Sequence, residues 1–269
     1  MTATDDRVRH VAVIMASPAS GRSLLGLLSP LFESGGRFEV QGVFLEDADA
    51  GSAAGLPFVK EVCRVTFSVR EFTSDQFERS VALSVRTARR TFSVLAARTG
   101  QPYSFRNVRG SGGRILGEAA EGADITVFEP AQLRLSGFVR VMPGRQPQRR
   151  ILALLADTQS APEVLETALQ LAAGDSRAIT VLLAPADGAD TADLRDLVPG
   201  VLPRKPAALR YLKGDPFAGL CDVSRELGGT LAVLSARFAL ERPGSLQRLR
   251  AGMPCPVCLV SDEAVANAA

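Results

Sequence analysis

The chain has 269 residues, 46% apolar and 22% charged, with a formal net charge of +2, four cysteines and one histidine. That length allows one large domain or two ordinary ones with ample core, and the near-neutral balance gives no push toward nucleic acid or an anionic membrane. Four cysteines are too few for a disulfide scaffold and fit a reducing cytoplasm; one histidine leaves any Ser-His-Asp, Cys-His or multi-histidine metal site dependent on His10 alone.

His10 opens the first element, "RHVAVIMAS" (9–17), an apolar run that predicts a buried strand, and beside a strand it reads as structural. The opening "MTATDDRVRH" carries acids and no apolar stretch, so no secretory signal is expected. No run approaches the roughly 18 to 20 apolar residues of a membrane span. "GRSLLGLLSPLFES" predicts a helix stopped by Gly35-Gly36, and "RFEVQGVFLED" (37–47) a strand ending in Glu46 and Asp47. Residues 48–55 read as loop, and 56–72 are open between helix and strand. From Asp75 to Arg98, the spacing of Phe77, Val81, Val85, Ala88, Phe92 and Leu95 marks one helical stripe. "PYSFRNVRG" follows as a strand, "GGRILGEAAEGA" as a short helix and "DITVFEP" as a strand stopped by Pro130.

The order then begins again. "QRRILALLAD" (148–157) predicts a strand, "SAPEVLETALQLAAG" a helix and "RAITVLLAP" a strand; "ADGADTADLRDLVPG" (186–200) reads as loop. "AALRYLKG", "DPFAGLCDVSRELGG" and "TLAVLSA" give strand, helix, strand, and "LQRLRAG" and "CPVCLV" a last helix and strand. Aligned, the halves place Ser17 opposite Asp157 and Gly110 opposite Gly214. The terminal strand has only "GFVRVMP" (137–143) as its counterpart in the first half. Strands alternating with helices of this length imply βαβ units and parallel sheets. The repeated order implies two α/β domains, 1–145 and 146–269.

"GSLQRLRAGMPCPVCLV" resembles the ending of universal stress proteins, where a Gly-Ser pair opens the last helix and a Pro-Cys-Pro-Val strand closes the sheet. "LKGDPFAGLCDVSRELGGTLAVL" is similar to that family's strand, Gly turn, helix and "DLIV"-type strand, with "GT" where Asp-Leu is usual; Asp124 keeps the acid in the first half. The resemblance spans nearly the whole chain in tandem form. It implies two flavodoxin-like, adenine nucleotide alpha hydrolase-like domains packed as an intramolecular pseudo-dimer, with a homodimer through a further edge left open.

Many universal stress proteins bind ATP, and the resemblance carries that site over in part. Asp157 stands at the acid position after the first strand, Gly214 at the Gly turn, and Gly244-Ser245 at the final Gly-Ser pair. Glycines and a helix N-terminus are what a phosphate cradle needs, because they present unpaired N–H groups. The family's Gly-x2-Gly-x9-Gly-Ser/Thr loop is damaged here. Ser235 to Gly244 spans nine positions, about four short of the pattern. In the first half Ser17-Pro18 replaces the acid. "RGSGGRILG" there offers a second anion candidate in Gly110, Gly112, Gly113 and Arg114; the competing reading is an ordinary family turn.

Cys255 and Cys258 have the spacing of a redox pair or half a zinc site. On a strand they point to opposite faces, about 10 Å apart and beyond the roughly 7 Å reach of a disulfide; a structural strand is expected. On the long helix Arg79, Arg86 and Arg90, with Arg89 close by, read as a solvated face. Glu46 and Asp47, adjacent on one strand, diverge too far for acid–base cooperation. The expectation is a cytoplasmic, stress-associated, non-catalytic protein acting through an unidentified protein partner or a small ligand. No metal, nucleic acid or membrane is involved. The alternative is an ATP-binding protein or slow ATPase with one site in the second half.

Overall fold

Val11–Met15 is apolar at every position, a pattern that suits a strand covered on both faces. It forms the buried part of β1 (Val8–Met15). The computed structural model describes residues 7–47, 56, 60–62, 68–71, 73–131, 150–185, 191–228 and 231–261. Within these, β1 leads into α1 (Pro18–Glu33) and β2 (Arg37–Asp47). An antiparallel pair follows, β3 (Lys60–Val62) with β4 (Val69–Glu71). Next come α2 (Ser74–Arg98), β5 (Tyr103–Gly110), α3 (Gly112–Gly122) and β6 (Ile125–Phe128). The second half holds β7 (Ile151–Leu155), α4 (Ala161–Leu171), β8 (Ile179–Leu183), α5 (Thr191–Val201) and β9 (Ala208–Tyr211). It closes with α6 (Pro216–Leu227), β10 (Leu231–Ser235), α7 (Ala236–Leu240), α8 (Ser245–Gly252) and β11 (Val257–Val260).

The protein is α/β, with its main strands in one nine-stranded sheet ordered β5-β2-β1-β6-β11-β10-β7-β8-β9. Every neighbouring pair is parallel except β6 with β11, where Cys258 faces Val127 and Val260 faces Ile125. This antiparallel seam joins the strands of the two halves. The "GFVRVMP" segment lies outside the described residues. All four residues of β11 are buried, and burying each large apolar side chain stabilises by about 1.5–3 kcal/mol.

Two cores follow from strand alternation. Val11, Val13 and Met15 face α1, α2, α4 and α5, whereas Ala12 and Ile14 face α3, α6, α7 and α8. Each core draws on both halves, and side chains tie them further. Arg9 of β1 donates to Thr167 and Gln170 of α4, both at 3.4 Å. Gly42 of β2 is required by packing, since a Cβ there would stand 2.9 Å from the fully buried Phe92 ring.

Two helices differ from expectation, α7 (Ala236–Leu240) and α5. Thr191–Val201, read as loop from its Asp, Gly and Pro content, is helix α5. Leu194 and Val198, four apart and both buried, give it an apolar stripe, and Pro199 stands in its last turn. The open stretch 56–72 contributes the short β3–β4 pair where it is described.

Candidate functional site

In open α/β sheets ligands settle at the carboxyl ends of the strands. In the second half this end collects the four residues that the sequence singles out. Asp157 follows β7, and both of its oxygens are engaged by Ser160, whose backbone N–H and hydroxyl each donate at 2.7 Å. Ser17 does the equivalent after β1, accepting the N–H of Ser20 at 3.1 Å with the two hydroxyls 2.8 Å apart. Gly214 makes the turn after β9 with φ +76°, and Gly244 the turn before α8 with φ +72°. Both angles favour glycine. Ser245 is buried, and its hydroxyl donates to the Ala239 carbonyl.

In the sequence from Gly214 into α8 stand side chains that the motif reading missed: Phe217 and Phe238, with Arg242 and Arg248. Phe217, in the first turn of α6, packs on Phe238 of α7 with ring centroids 5.4 Å apart. Arg248 covers Phe217 at 5.6 Å and Arg242 covers Phe238 at 4.1 Å, and Arg248 also pairs with Asp215 at 3.2 Å. Both rings are buried. The stretch "ARFALERPGS" thus builds helix α7 and an aromatic–arginine stack where a glycine-rich loop would need open backbone. The shortened spacing to Gly244 was its only sequence signal. Across the same end, Arg237 reaches Gln159 at 2.9 Å and Glu241 at 2.8 Å.

The glycine-rich turn of the first half serves packing between α3 and α8. The guanidinium of Arg250 fills the place of a Cβ on Gly112, and the amide oxygen of Gln247 lies 2.6 Å from that of Gly113. Arg114 lies alongside Gly110 and pairs with Glu118 one turn on.

A cleft of about 500 Å³ opens beneath the first turns of α2, at the carboxyl ends of β2 and β5. Core-facing positions here change character. Phe44 and Phe105 belong to the core, and two residues on in each strand stand Glu46 and Asn107, followed by Arg109. The Glu46 side chain is only 13% exposed; it meets Arg109 Nε at 3.2 Å and accepts from Asn107 Nδ2. Arg109 reaches on to Glu78 at 3.2 Å. Val81, Ala82, Val85, Arg86 and Arg89 of α2 line the other wall. Arg89 lies over the Phe105 ring at 5.4 Å, and neither it nor Arg86 has a carboxylate partner among the described residues. Arg79 and Arg90 of the same helix are exposed and do not line the cleft. A second cavity, about 670 Å³, lies at the opposite sheet edge between α5 and β9.

The remaining candidates lie apart from both cavities. Cys255 precedes β11 and enters one core; Cys258 within β11 enters the other. Burial pushes their thiols up to about 11 and about 12. His10 meets Glu39 at 3.4 Å, and its backbone N–H donates to Asp124, which also pairs with Arg7 at 2.8 Å. Among the described residues no group of three or more His, Cys, Asp or Glu is placed to hold a metal, and no helix is long and apolar enough to cross a membrane.

Neither a protein-family model nor a curated protein matches the chain. Among solved structures it is similar to a universal stress protein from Archaeoglobus fulgidus, with 12% identity, TM-score 0.49, and coverage of 94% of this chain and 98% of that one. It is also similar to a functionally unknown protein from Pseudomonas aeruginosa, with 9% identity and TM-score 0.45 over 97% and 95% of the two chains. A third is the cytoplasmic domain of a prokaryotic cation chloride cotransporter, at 14% identity and TM-score 0.40 over 97% and 98%.

Proposed function

We propose that this chain is a non-catalytic, cytoplasmic protein of the tandem universal-stress kind, working through protein contacts or a small ligand. In this reading its two halves serve as each other's partner along the β6–β11 seam, and its nucleotide position is degenerate. The observation that carries it is the stretch leading to Gly244, which forms helix α7 and packs Phe238 on Phe217 under Arg242 where the family pattern has a glycine-rich loop. A triphosphate held in the family manner needs the unpaired N–H groups of such a loop. Here the Ser245 hydroxyl is spent on Ala239, and both carboxylate oxygens of Asp157 accept from Ser160.

The test is thermal unfolding with millimolar MgATP, together with a phosphate-release assay. A ligand present at a hundred times its Kd stabilises by about 2.7 kcal/mol, so a bound nucleotide is visible as a rise in Tm. The expected result is no rise and no release. A rise that disappears in Asp157→Ala would establish the ATP-binding alternative.

A further inference from the structure

We propose that the cleft under α2 is a binding site for a small organic anion with an apolar body. This rests on the small-ligand arm of the function proposed above, and it names the place and the chemistry.

Three features of the cleft point this way. It lies at the carboxyl ends of two parallel strands, the side where such sheets receive ligands, and its volume of about 500 Å³ falls within the roughly 300–1,000 Å³ of small-molecule sites. Its floor is polar at positions that strand alternation assigns to the core. Phe38, Val40 and Phe44 of β2 pack inward, and the next position on that face is the carboxylate residue Glu46, 13% exposed. A charged residue in a core-facing register is costly unless paired, and Arg109 and Asn107 are placed to pair it.

The cleft's charge is unbalanced in one direction. Glu46 and Glu78 are both engaged by Arg109, whereas Arg86 and Arg89, one helical turn apart, face the cavity without a carboxylate. Three arginines against two glutamates leave an excess positive charge, carried by the two guanidiniums on the α2 wall. Guanidinium forks suit carboxylate, sulfonate and phosphate oxygens. Val81, Ala82 and Val85 on the same wall, with Phe105 under Arg89, offer the apolar surface for the rest of the ligand. A fully hydrophilic anion would leave that surface unused, and a neutral apolar molecule would leave both arginines unanswered.

The experiment uses the full chain and two dyes of similar aromatic body, the anionic 8-anilinonaphthalene-1-sulfonate and the neutral N-phenyl-1-naphthylamine, followed by fluorescence. The sulfonate is expected to bind at one site and the neutral dye at least about tenfold more weakly, the worth of a charged hydrogen bond. Arg86→Gln with Arg89→Gln should weaken the sulfonate about tenfold or more, and Arg90→Gln should leave it unchanged. Ala82→Trp, which fills the cleft and keeps both arginines, should abolish binding. The proposal fails if the sulfonate does not bind, if the arginine pair or Ala82→Trp has no effect, or if the neutral dye binds as well. None of these outcomes depends on Asp157, so they separate this site from a nucleotide site in the second half.

Discussion

Cys255, before β11, and Cys258, within it, are three positions apart in sequence and stand in different cores. Their raised thiol pKa values carry a consequence for stability. Each folded thiol holds its proton from about 9 up to about 11 or 12, while the unfolded thiol releases it near 8.5. The unfolded state therefore gains stability as pH rises, and the folded state loses up to about 1.4 kcal/mol per pH unit per thiol across that window. Below pH 8 the contribution is fully retained. Urea unfolding of the wild type and Cys258→Ala from pH 8 to 11 checks this: the variant is less stable at pH 8 but should show a shallower decline, and parallel declines would refute it. At Gly42 the expectation is steric. Gly42→Ala drives a Cβ into the buried Phe92 ring and should cost about 1–3 kcal/mol in the same assay.

Periodic elements were readable because their apolar stripes are long: the spacing from Phe77 to Leu95 on α2 needs no tertiary context. Helix α5 was not, because its stripe rests on Leu194 and Val198 amid Asp, Gly and Pro, residues that mark turns by local chemistry. Packing against the sheet overrides that preference. The turn "RGSGGRILG" was ambiguous for a related reason, since glycines that admit a phosphate also admit a neighbouring helix, and here Gly112 and Gly113 meet Arg250 and Gln247. The cleft was half legible. Glu46 and the α2 arginines stood out as charged residues, but their convergence depends on the β2–β5 register, which pairs Glu46 with Arg109. The Asp157–Ser160 pair before α4 gives an element-level expectation. Asp157→Ala removes both bonds to Ser160 and should cost about 1–3 kcal/mol, read from the urea midpoint, with no change in far-UV circular dichroism at 25 °C.

Across the molecule, the antiparallel β6–β11 pair turns two sets of parallel strands into one sheet, and each of its cores is fed by both halves. Such shared burial couples the halves energetically. Calorimetry should therefore show a single unfolding transition with equal calorimetric and van't Hoff enthalpies, whereas two resolved transitions would mean that the halves unfold independently. The same architecture brings Asp157, Gly214, Gly244 and Ser245 to one end of the sheet, and the stretch leading to Gly244 is helix α7 with Phe238 packed on Phe217. The decisive measurement is isothermal titration calorimetry of ATP, ADP and AMP against the wild type and Asp157→Ala. The structure-based expectation is no binding that depends on Asp157, even at millimolar nucleotide. Micromolar binding abolished by Asp157→Ala would contradict it.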